Sequence, residues 1–223
     1  MTGIHDIALF VAAGLLLNVT PGPDMAYIAA RSAAGGFRDG AAAVFGITAG
    51  CVVHTIAAAI GLSALLATSA TAFEIVKWAG ALYLFYAGFR LITAKKGSEH
   101  PEPRELASAS AAEADAVPQR ARPSRIFREA LLINVFNPKV ALFFLAFLPQ
   151  FIAIDAPDKP LAFMLLGTLF NFDSLFVNLP VAWLAGRAGL RWRGRADAMQ
   201  WMRRIVGGVF VLLAMRLAAL ARE

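Results

Sequence analysis

The amino-acid sequence predicts an all-α integral membrane protein with six transmembrane helices. Its 223 residues are 59% hydrophobic and only 16% charged, whereas soluble domains usually carry about 25% charged residues. Six stretches are apolar, and most reach the roughly 20 residues that a helix needs to cross a bilayer. They cover residues 7–34, 41–67, 72–94, 127–154, 161–185 and 205–221. The sixth stretch is the shortest, so it is the weakest of the six predicted spans.

The chain divides into two halves around a polar segment. Residues 97–125 are rich in Ala, Ser, Glu and Pro and show no apolar periodicity, which predicts a flexible linker. The flanking parts, residues 1–96 and 126–223, each hold three predicted spans. Because an odd number of spans reverses the direction in which the chain enters the membrane, we predict two inverted three-helix repeats.

The basic residues indicate how the protein is oriented. Most of the 21 Lys and Arg residues lie in the connections after the first, third and fifth stretches, whereas residues 68–72 and 155–160 contain only Lys159. Since cytoplasmic loops carry the excess of Lys and Arg, the basic loops should be cytoplasmic and both termini should lie outside. This distribution explains the net charge of +6 without a nucleic-acid partner.

Proline interrupts the first and fourth stretches at matching depths. The interruptions are Thr20-Pro21-Gly22-Pro23-Asp24 and Asn137-Pro138-Lys139. At 1.5 Å per residue, Pro21 lies about 21 Å along its helix and Pro138 about 18 Å along the other. Proline removes a backbone donor, and lipid cannot satisfy the opened backbone, so both breaks should face protein or a watery cavity. Paired breaks of this kind predict the binding site of a transporter, although a tolerated kink is the alternative for each proline.

Four titratable residues lie at membrane depth: Asp24, His54, Lys139 and Asp173. Charged groups are costly in lipid, so these side chains should face the protein interior. We predict that they bind substrate or a coupling ion together with the residues of the two breaks. Tyr83 is a further candidate, because its hydroxyl falls at the middle of the third span. Structural pairing is the alternative for Asp24, Lys139 and Asp173, packing is the stronger alternative for His54, and aromatic anchoring is the alternative for Tyr83.

The sequence gives little support for a membrane redox carrier or a membrane-embedded hydrolase. The single cysteine, Cys51, excludes an internal disulfide and any CxxC redox or zinc motif, which argues against the runner-up, a membrane redox carrier. An intramembrane hydrolase would need a nucleophile and a base, and only His54 is suitably placed. We therefore expect that the protein is not an enzyme and that it binds no cofactor and no metal. Gly46, Gly50 and Ala42 form a small-residue stripe that predicts close approach to a neighbouring helix.

Four sequence elements occur together in one order. They are Thr20-Pro21-Gly22-Pro23-Asp24, the run 46–54, the run 77–84, and Asn137-Pro138-Lys139 leading into residues 143–151. In these elements the chain resembles the lysine exporter (LysE/RhtB) family of bacterial amino-acid exporters, over nearly all of its length outside the linker. The resemblance implies a six-span carrier of the bacterial inner membrane that exports amino acids or close derivatives in exchange for protons. It leaves homo-oligomer formation open.

The charges of the predicted cavity bear on the substrate. Only Asp24 and Asp173 supply negative charge there, and Lys139 opposes them. A basic amino acid would favour several acidic residues, so this balance favours neutral amino acids as substrates.

Overall fold

A computed structural model of the protein describes residues 3–20, 22–64, 122–153 and 155–188, with isolated positions between 71 and 93 and at 208 and 211. The described residues form helices, and their one β-type pairing is an isolated bridge between Ile4 and Ile152. The helices are α1 (Ile7–Val19), α2 (Pro23–Gly35), α3 (Phe37–Ala57), α4 (Pro123–Val135), α5 (Pro138–Leu142) and α6 (Lys159–Ala188). The predicted all-α class is confirmed for this part of the chain.

Up to four membrane spans can be built from the described helices. The continuous helices Phe37–Leu62 and Lys159–Arg187 are each long and apolar enough to cross a bilayer. Two further spans result if each bent pair counts as one: α1 with α2, bent by 54°, and α4 with Pro138–Phe151, bent by 49°. These four correspond to the first, second, fourth and fifth predicted spans. Of the third and sixth the structure describes only isolated positions, and most of the linker lies outside the described residues.

The two broken helices are confirmed where the sequence predicts them. α1 ends at Val19 and α4 ends at Val135, and each has 13 residues. Both breaks therefore lie about 20 Å from the start of their helix. The second pieces begin with Pro23 and Pro138, because proline has no N–H to lose at the first position of a helix. α4 begins at Pro123 for the same reason, so residues 123–125 belong to this helix rather than to the predicted linker.

Small residues allow α3 to approach α4 closely. A Cβ atom at Gly46 would overlap the carbonyl oxygen of Phe127, and one at Gly50 would lie 2.6 Å from the Oδ1 atom of Asn134. The predicted close approach at Gly46 and Gly50 is thereby confirmed, and it packs the middle of α3 along α4 from Phe127 to Asn134.

Aromatic side chains fill the end of the bundle where α1 begins. The rings packed there are Phe10, Phe143, Phe147, Phe151 and Phe170. After α5 the chain continues through a π-helical turn, Phe143–Phe147, and a 3-10 turn, Leu148–Phe151. The backbone N–H of Ala153 donates to the carbonyl of Gly3 at 2.8 Å, which ties the N-terminal segment to this end.

Candidate functional site

The first break exposes backbone carbonyls that Lys139 binds. The carbonyl of Leu17 would normally accept from the N–H four residues later, but that residue is Pro21, which has none. The Nζ atom of Lys139 donates to the carbonyl oxygens of Leu17 and Thr20, both at 3.1 Å. An ammonium is favoured there by the partial negative charge at the C-terminus of α1. A Cβ atom at Gly22 would lie 3.2 Å from Nζ, so a glycine accommodates the lysine.

The second break repeats this arrangement with a different side chain. The carbonyl of Asn134 loses its usual donor because the residue four positions later is Pro138. The Nε2 atom of His54 lies 3.2 Å from this oxygen, and since a carbonyl only accepts, the imidazole donates. The His54 ring also stacks on Phe144, with the ring centroids 5.7 Å apart. Asn137 caps α5, its Oδ1 atom accepting from the N–H of Lys139 at 3.0 Å.

Asp24 joins the two breaks from the other direction. It is the second residue of α2, where a carboxylate is stabilised by the positive end of the helix dipole. Its Oδ2 atom accepts from the Nδ2 atom of Asn134 at 2.9 Å. The side chain is buried, with 8% of its surface exposed. The carboxylate of α2 is thus held by the last turn of α4.

Asp24 and Lys139 make equivalent contacts in opposite directions, one from the pair α1–α2 to the pair α4–α5 and the other in return. Each residue follows the proline that begins a second half-helix, and each reaches the last turn of the first half-helix in the other pair. The two first half-helices also end in similar sequences, Leu-Leu-Asn-Val at residues 16–19 and Leu-Ile-Asn-Val at residues 132–135. This similarity is the signal that would have added Asn134 to the predicted site residues.

Three polar atoms at the breaks are buried and have no hydrogen-bond partner among the described residues. They are Oδ1 of Asp24, Oδ1 of Asn134 and Nδ2 of Asn137. Most buried polar atoms in proteins are paired, so these two acceptors and one donor leave hydrogen-bonding capacity at the breaks that the described residues do not use.

Most of the predicted site residues form one group in the structure. Thr20, Gly22, Pro23, Asp24, His54, Asn137, Pro138 and Lys139 all lie at the two breaks or contact them. Asp173 instead faces α1 from α6, where its Oδ2 atom would lie 2.8 Å from a Cβ atom on Gly14. That oxygen is buried without a partner among the residues described. Pro21 and Tyr83 lie outside the described residues.

Comparison with known proteins identifies the family of the chain. The sequence model described as LysE type translocator matches residues 15–220. The chain belongs to the LysE type translocator family. It is 28% identical over 210 residues to the homoserine/homoserine lactone efflux protein of Salmonella typhi, with 94% of each chain covered. It is also 28% identical over 219 residues to the leucine efflux protein of Salmonella choleraesuis, covering 98% of this chain and 97% of that one. No solved structure matches the chain significantly.

Membership of the family confirms the resemblance drawn from the sequence motifs. The protein is a membrane translocator and not an enzyme. The hydrolase alternative is therefore wrong, and the histidine that suggested it binds a backbone carbonyl. The redox-carrier alternative is likewise set aside, and Cys51, the only cysteine of the chain, is buried in α3.

Proposed function

We propose that this translocator exports amino acids, neutral ones in preference to basic ones, across the inner membrane of a bacterium. The family supports export, and the names of two relatives refer to leucine and to homoserine, both of which have one ammonium and one carboxylate at neutral pH. The observation that carries the proposal is that Asp24 and Lys139 have opposite charges and that each contacts the break in the other helix pair. One negative and one positive side chain match a zwitterion better than they match a dibasic amino acid.

The unpartnered atoms suggest how a zwitterion would be held. Oδ1 of Asp24 and Oδ1 of Asn134 are acceptors, so they would take the ammonium group of the substrate. Nδ2 of Asn137 is a donor and would take the carboxylate, which the positive charge of Lys139 also attracts. His54 acts here as a positioning residue, because it holds the carbonyl of Asn134 and stacks on Phe144.

Transport would proceed by alternating access between two inverted repeats, with proton exchange as the driving reaction. The exchanged contacts of the two broken pairs support the repeat, since each half supplies one charged residue to the other. Two buried carboxylates are candidates for the coupling proton. Each has one buried oxygen without a partner among the described residues, but Asp24 is held by Asn134 through its other oxygen, so we assign proton coupling to Asp173. In the proposed orientation both termini lie outside and the basic loops are cytoplasmic.

Growth protection tests the substrate class. Cells with and without the protein would be grown on a panel of inhibitory amino acids and analogues, including leucine, homoserine, lysine and arginine. We expect protection against the neutral compounds, and we expect Asp24→Asn to abolish it at equal membrane abundance because the ammonium loses its charged partner. Protection against basic amino acids alone would contradict the proposal, as would full protection by Asp24→Asn.

A further inference from the structure

Three side chains connect α2 to α4 on the opposite side of the site from the aromatic end. Arg31 donates from Nη2 to Oε2 of Glu129 at 2.7 Å and from Nε to the hydroxyl of Tyr27 at 3.1 Å. The Tyr27 hydroxyl donates to the same Glu129 oxygen at 2.6 Å. These three residues, Tyr27, Arg31 and Glu129, are called the latch below. Every pair among them is in hydrogen-bond contact, so the latch is a closed triangle.

The latch lies close to the candidate site along both helices. Tyr27 follows Asp24 by three residues on α2, and Glu129 precedes Asn134 by five residues on α4. The latch lies toward the end of the bundle where α2 finishes at Gly35 and α4 begins at Pro123. The basic connections after the first and third predicted spans start or finish there, so the latch faces the side that the orientation proposal makes cytoplasmic.

The latch is shielded in a way that a surface ion pair is not. The side chains of Arg31 and Glu129 are only 14% and 28% exposed, and Tyr27 is 5% exposed. Removing two charges from water costs energy that their attraction only partly offsets, so such a pair adds little net stability compared with apolar packing. When two helices move apart, water can solvate the charged groups of such a pair. Apolar side chains that interlock gain no such solvation, so they separate less readily.

We propose that the latch closes the cytoplasmic entrance to the site and opens to admit substrate. The proposal rests on the proposed function, which supplies the direction of transport and the two repeats. α2 belongs to the first repeat and α4 to the second, so the latch joins the two parts that alternating access would move. The structure therefore represents a state in which the cytoplasmic entrance is shut.

The native cysteine provides a readout that does not depend on transport. Cys51 is the only cysteine of the chain, it is buried, and it follows Gly50, which contacts Asn134. A membrane-impermeant maleimide added to the cytoplasmic face of inside-out vesicles should label Cys51 slowly in the wild type. In Glu129→Gln and Arg31→Gln we expect labelling to be roughly tenfold faster, the size expected from losing a shielded hydrogen bond between charged groups.

Two controls separate a latch from general loosening. Arg125 binds Oε1 of Glu129 at 2.8 Å from the same helix, so Arg125→Gln removes a charge without removing the connection to α2 and should label like the wild type. The charge exchange Arg31→Glu with Glu129→Arg restores a pair of opposite sign and should restore slow labelling.

Several outcomes would overturn the latch. Unchanged labelling in Glu129→Gln would do so, as would faster labelling in the charge exchange, which would indicate loosening rather than loss of a specific pair. Faster labelling only from the outer face of right-side-out vesicles would place the entrance on the wrong side. Failure of the wild type to exchange any neutral amino acid of the growth panel in proteoliposomes would instead refute the substrate assignment, and the labelling comparison would still be readable.

Discussion

Removing the ammonium of Lys139 should destabilise the folded protein through the first break. In Lys139→Met the side chain keeps a similar length and loses both hydrogen bonds to the carbonyls of Leu17 and Thr20. Those bonds connect α5 to the end of α1, and the bonded residues are 122 and 119 positions apart in the sequence. The substitution therefore removes a long-range connection as well as a local partner.

The magnitude follows from the two contacts. A hydrogen bond to a charged group contributes about 1.5–3 kcal/mol when shielded. Lys139 is only partly buried, so the lower half of that range applies to each of the two bonds, and the expected loss is about 3–4.5 kcal/mol. The Leu17 carbonyl retains the N–H of Thr20 at 3.2 Å, so the loss of Lys139 does not leave that oxygen without a donor.

Unfolding in mixed micelles of increasing sodium dodecyl sulfate content, followed by tryptophan fluorescence, would measure this loss. Lys159→Met is the matched control, because Lys159 makes one long contact of 3.4 Å with a carbonyl three residues away. We expect Lys139→Met to unfold at a clearly lower detergent fraction and Lys159→Met to follow the wild type. Equal midpoints for Lys139→Met and the wild type would refute the assignment of Lys139 to the end of α1.

Two further predictions concern packing and orientation. Gly50→Val should weaken the α3–α4 contact by about 1–3 kcal/mol through overpacking, because its Cβ atom would lie 2.6 Å from Oδ1 of Asn134. Gly61→Val, with no described atom within 4 Å of the new Cβ, should be tolerated; equal loss in both, by the same unfolding assay, would contradict this packing. Topology reporters fused at Ser108 and Arg195 should report the cytoplasm and one at Asp155 the outside. A cytoplasmic reporter at Asp155 would reverse the proposed orientation.

The breaks were predictable from sequence because their cause is local. Proline removes its own N–H wherever it occurs, so Pro23 and Pro138 specify the start of α2 and α5 without any tertiary information. The start of α4 at Pro123 follows the same rule. The linker boundary at residue 125 was predicted from composition, which does not show that a proline begins a helix.

The partners of the site residues were less accessible to sequence reasoning. Asn134 is an ordinary polar residue in an apolar run until the fold brings Asp24, 110 residues away, to its side chain. The role of His54 likewise depends on a carbonyl whose donor is removed by a proline on another helix. The latch was not predictable either, because the pairing of Arg31 with Glu129 is a tertiary contact between the two halves of the chain.

Leucine counterflow in proteoliposomes would show whether the paired breaks form the transport site. Alanine at position 23 or 138 restores an N–H, which lets the carbonyl of Val19 or Asn134 regain its helical donor and extends helical hydrogen bonding into the site, with Pro21 still present in the first break. We predict that the wild type exchanges labelled leucine, and that Pro23→Ala and Pro138→Ala each exchange it at least about tenfold more slowly at equal reconstituted amounts. Exchange at the wild-type rate by both variants would contradict the account and leave the prolines as ordinary kinks.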